Sequence, residues 1–147
     1  MSLVSTYYKN LLLRMQRGNH CGVFSNAKPL FMLAIISCIE KGSLKINLIT
    51  LDEPLVSEYN SLSKFYEPER DVTPIGKPYF HLSAEPFYEI TYKKGCVEPE
   101  HSKSPSLKKL KDIVEKVKLD GDLWEILQDA DTRQEFREAI ETHFLNK

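Results

Sequence analysis

One apolar run, PLFMLAIISCI at residues 29 to 39, constrains this chain more than any other feature. It falls short of the roughly 18 residues that a membrane span needs. Asn26 and Pro29 suit the start of a helix here, and Gly42 suits its stop. A helix that is apolar on nearly all sides has no face to offer water, so it is predicted to be the central helix of a packed domain. The 147 residues are read as one domain, 1–147. A chain of that size buries about two-thirds of its unfolded surface.

The elements that would wrap this helix follow from spacing. STYYKNLLLRMQ places Tyr8, Leu11, Leu12 and Met15 at helical intervals, with Ser5 or Thr6 as cap. DEPLVSEYNSLSKFY carries Pro54 near its start and Leu55, Tyr59, Leu62 and Phe65 or Tyr66 on one face. Ser104 and Pro105 suit the cap and first position of a helix with the stripe Leu107, Leu110, Val114 and Val117. A short helix with Leu123, Trp124 and Leu127 inward follows. Asp131 and Gln134 then resemble a capping box before Phe136, Ile140 and Phe144. LKINLIT alternates like a short strand, and PYFHL and FYEITY flank SAEP as a strand pair. RGNHCGVFSNAK, EPERDVTPIGKP and KKGCVEPEHSK read as loops. The expected class is α+β, mainly α with a small β hairpin: a helical domain loosely like a winged helix, but without a clear extra recognition helix.

Charge is unevenly divided. Residues 1 to 50 hold six Lys/Arg against one acid, Glu40, while the whole chain nets −1. A basic N-terminal third is compatible with a phosphate-facing surface. The acids between Glu53 and Asp71 argue against DNA lying along that helix and loop. Three widely spaced cysteines and no secretory start imply a reducing, cytoplasmic home and no disulfide framework.

The motifs for catalysis are missing. No lysine has an acid two positions before it, as the common metal-dependent nuclease site requires, and there is no paired-histidine HNH arrangement. No Gly-rich phosphate loop, HExxH, GxSxG or CxxC occurs either. No enzyme and no cofactor are therefore expected on this chain. His20, Cys21, Cys96 and His101 can be drawn as a zinc set, but their spacing fits no standard module, so no metal site is assigned.

Three segments in order carry a resemblance: NAKPLFMLAIISCIEKG, KPYFHLSAEPFYEI and LDGDLWEILQDADTRQEFREAIETHFL. Together, over about residues 7 to 145, they are similar to the sulfur-binding domain found beside HNH nucleases in restriction endonucleases that attack phosphorothioate-modified DNA. The resemblance implies a non-catalytic reader of the modified backbone of double-stranded DNA, working with an HNH nuclease in cis or in trans. It implies a sulfur pocket at Pro78 and Tyr79 with His81 at its rim, and DNA-contacting cations at Lys28 and Lys103. Sulfur is larger, softer and less hydrated than oxygen, so an apolar notch beside cations can favour it. Two positions depart from the family pattern: Ala27 where a His often stands, and Lys77 in place of an aromatic or aliphatic before Pro78. The alternative is a protein-interaction or structural domain that retains the fold without the pocket.

Overall fold

The computed structural model describes residues 2–145. Its centre is α2 (Ala27–Glu40), in which every side chain from Pro29 to Ile39 is buried. Burying each Leu, Ile or Phe of such a helix contributes roughly 1.5–3 kcal/mol, which the isolated helix could not realise. α3 (Glu53–Tyr66), α4 (Gly76–His81) and α7 (Ala130–Ile140) pack directly on α2. α1 (Leu3–Leu13) closes the domain against α6 (Gly121–Ile126) and α7. The chain is thus mainly helical, with two small two-stranded antiparallel sheets. Among the described residues no helix is long and apolar enough to cross a membrane.

Local chemistry explains the ends of these helices. Asp52 caps α3 by accepting the Leu55 amide at 3.4 Å, and Pro54 occupies its first turn, where a missing N–H costs nothing. Gly42 follows α2 with a left-handed φ of 78°, a conformation that costs side-chain-bearing residues more. Several caps sit a little away from their expected places. Ser2 rather than Ser5 or Thr6 caps α1, and Ser106 rather than Ser104 caps α5 (Leu107–Ile113). Asp129 caps α7 in place of Asp131.

Four segments differ more substantially. PYFHL is not a strand: Gly76–His81 forms α4 and Leu82–Ala84 a 3₁₀ turn. Pro78 falls in the first turn of α4, where proline is tolerated. The expected hairpin across SAEP, on which the winged-helix likeness rested, is therefore not formed. Instead β3 (Tyr88–Tyr92) pairs with β4 (Val114–Leu119), with Tyr88 opposite Leu119 and Ile90 opposite Val117. The stripe Leu107, Leu110, Val114, Val117 accordingly breaks at Ile113, where alternation in VEKVKL takes over.

LKINLIT forms no strand. The Asn47 side chain bonds both backbone groups of Leu119, at 2.7 and 2.9 Å, and only the Ile49 amide reaches the Val117 carbonyl. The loop after α1 contains a tight hairpin, β1 (Asn19–His20) and β2 (Val23–Phe24). Cys21 and Gly22 turn it with φ of 53° and 83°, the signature of a two-residue hairpin loop.

Candidate functional site

A cleft of about 590 Å³ opens beside the N-terminus of α2, and five separated segments build it. Gln16, Arg17 and Gly18 come from the end of the α1 loop; Ser25, Ala27 and Lys28 lead into α2. Arg70 and Thr73 arrive on the proline-rich connector, Lys77, Pro78, His81 and Ala84 on α4 and its 3₁₀ extension, and His101 and Ser104 on the loop before α5. Four of these residues are cationic and two are histidines; among the described residues no carboxylate lines the cleft.

The helical form of residues 76 to 81 decides which side chains reach it. On a helix, positions three and four apart share a face. Lys77, Pro78 and His81 thus line the cleft together, while Phe80 is fully buried. Tyr79, expected in the same pocket, turns away. Its ring is 7% exposed, meets Phe31 edge-on at 6.4 Å, and lines a separate concavity with Leu110 and Val117. The Tyr79 carbonyl accepts from the buried Tyr88 hydroxyl at 2.6 Å, which fastens α4 to β3. Lys103 is exposed in the turn just before Ser104 and is absent from the lining. Of the five residues expected at the site, Lys28, Pro78 and His81 come together; Tyr79 supports from behind, and Lys103 stands outside.

The cleft's cations are held by internal partners to different degrees. Lys28, the second residue of α2, donates from Nζ to Glu85 Oε2 at 2.8 Å. Both side chains are nearly buried, at 13% and 8% exposure. The same Glu85 oxygen accepts the Gln16 amide at 3.1 Å. The Arg17 guanidinium lies over the rings of Phe24 and Phe144, at 4.7 and 4.9 Å, and donates to Asn26 Oδ1 at 2.8 Å. Such stacking orients a guanidinium while leaving part of its N–H fork free. Arg70 pairs with Glu67 at 2.7 Å. Lys77 is exposed and makes no ion pair among the described residues.

Asn26 precedes α2 but spends its side chain on Arg17 and Glu67, so it does not cap the helix. The start of α2 therefore has no cap from Asn26; the Ala27 amide donates to Ser25 Oγ at 3.3 Å instead, and Pro29 carries no N–H.

The histidines form the other wall. His81 Nε2 lies 2.7 Å from Ser104 Oγ, and His101 stacks on Phe80 at 4.5 Å. Burial pushes the His81 pKa below its ordinary value, and His101, Lys28 and Lys77 push it in the same direction. His20, at the end of β1, and Cys21, in the turn after it, sit instead on the β1–β2 hairpin, and no group of three or more His, Cys, Asp or Glu among the described residues could hold a metal ion.

Sequence reasoning missed Arg17, Arg70, Lys77, His101 and Ser104 as partners in one site. Only the uneven charge of the first third hinted at Arg17; Lys77, on α4, stands out in the sequence only as a departure from the family pattern, and Arg70, His101 and Ser104 sit in loops with no local signal of a shared site. No family model matches the chain, and no curated protein matches it.

Proposed function

We propose that this chain is a non-catalytic DNA-binding module that reads a phosphorothioate-modified backbone. It would target an HNH nuclease, carried in the same protein or by a partner, to modified double-stranded DNA in the cytoplasm. One observation supports the reading: Pro78 lies in the wall of a cleft whose lining, among the described residues, has four cations, two of them paired with Glu85 and Glu67 outside the lining, two histidines and no carboxylate. An apolar wall suits the poorly hydrated sulfur, and the cations and helix terminus suit the rest of the phosphate. Lys28, Pro78 and His81 are the ligand-facing residues in this reading, with Arg17 and Lys77 as added phosphate contacts. Tyr79 holds α4 in place, and Lys103 adds charge outside the rim.

A second reading, a protein-interaction or structural domain without a working sulfur pocket, draws on the ion pairs that already occupy Lys28 and Arg70. Fluorescence anisotropy on matched duplexes, phosphorothioate and unmodified, separates the two. The first reading expects tighter binding of the phosphorothioate duplex, lost in Pro78→Glu while the melting transition stays cooperative. Equal affinity for both duplexes removes sulfur recognition, and no binding of either leaves the second reading standing.

A further inference from the structure

We propose that Glu85 is a specificity-determining residue of the cleft, acting by holding the charge of Lys28 away from any oxygen-only phosphate. The proposal rests on the DNA-reading function above. Glu85 does not line the cleft; it approaches Lys28 from behind, at 2.8 Å, with only 8% of its side chain exposed. The backbone amide of Gln16 donates to the same carboxylate oxygen, so the carboxylate is fixed rather than free to swing toward solvent.

An unpaired ammonium is a compact, strongly hydrated charge that attracts every phosphodiester and favours small, hard oxygen over diffuse sulfur. Paired with Glu85, Lys28 still positions a ligand by hydrogen bonding but contributes little net field. Discrimination then falls to the Pro78 wall, which prefers the less hydrated atom. Glu85 in this way suppresses binding to ordinary DNA more than binding to the modified strand.

Glu85→Gln tests this with little change of shape, because the amide oxygen can still accept the Gln16 N–H. Affinities are measured for phosphorothioate and unmodified duplexes over a range of salt. The expected result is a gain on the order of tenfold for the unmodified duplex and a smaller gain for the modified one. The discrimination ratio falls, and the salt slope steepens by about one phosphate contact. In a Lys28→Met background the same substitution leaves the ratio unchanged, an outcome that a purely structural role for Glu85 does not give.

A wild-type protein that favours the modified duplex, with a ratio that Glu85→Gln preserves or raises, overturns the role of Glu85 alone. The same holds if the substitution acts equally in the Lys28→Met background. A wild type that does not distinguish the duplexes, or binds neither, overturns the function and this proposal together.

Discussion

Pro78 and His81 meet in the cleft because they are three residues apart on a helix; in a strand they would point to opposite sides. His81 is one of two histidines in the lining. Its pKa lies below the ordinary value, so the folded protein binds its proton less readily than the unfolded chain does. Stability is therefore expected to fall as pH drops below the ordinary histidine range, since the unfolded state takes up the proton first. In the proposed DNA-bound state the sign reverses: a phosphate at the cleft would favour the imidazolium, so binding would take up a proton. Affinity is expected to rise as pH falls through the region just below the ordinary histidine pKa, and to flatten in His81→Asn. Titrations at constant ionic strength check both signs. The depression is not visible in the sequence, because of the three neighbouring groups only Lys77 is close in the chain.

Among the elements, the long apolar run and apolar stripe were dependable, while short aromatic runs and some prolines were not: Pro105 precedes the cap of α5, and Pro78 lies within α4. α2 and α3 were legible from an apolar run, an apolar stripe and their Asn, Asp and Pro starts. PYFHL looked like a strand because aromatics favour sheets, yet tertiary pairing overrode that preference and left β4 as the partner of β3. VEKVKL has the converse ambiguity: Leu110, Val114 and Val117 share a helical stripe, whereas in the strand that forms it is Val117 and Leu119 that alternate on the buried face.

Two substitutions probe these elements. Tyr88→Phe removes the buried bond that ties β3 to α4 and is expected to cost about 1–2 kcal/mol by denaturant unfolding, with weakened DNA binding because α4 loosens. Gly42→Ala forces a side chain into left-handed backbone after α2 and is expected to cost about 1 kcal/mol in the same assay, with DNA affinity unaffected.

For the molecule as a whole, net charge is a poor guide to local field, since a chain of −1 carries a cleft that no carboxylate among the described residues lines. Electrostatic binding is expected to weaken linearly on a log–log plot against salt, with a slope of about 0.9 per phosphate neutralised. Lys77→Ala should lower that slope by about one unit, whereas Lys45→Ala, outside the cleft, should leave it unchanged. The cleft was only partly legible because its lining is gathered from five loops and helix ends. Lys28, Pro78 and His81 lay within resembling segments; Arg70 and His101 lay in loops whose placement depends on the finished core.

That gathering has a temporal side. Phe144, in the π-helical turn Glu141–Leu145, is one of the two rings that position Arg17, so the first and last parts of the chain meet at the same wall. During synthesis on the ribosome, the N-terminal cations emerge long before the ring that sets one of them. A nascent chain is accordingly expected to lack the assembled cleft until Phe144 has been made and has left the ribosome, so the wall that orients Arg17 is among the last parts of this domain to form.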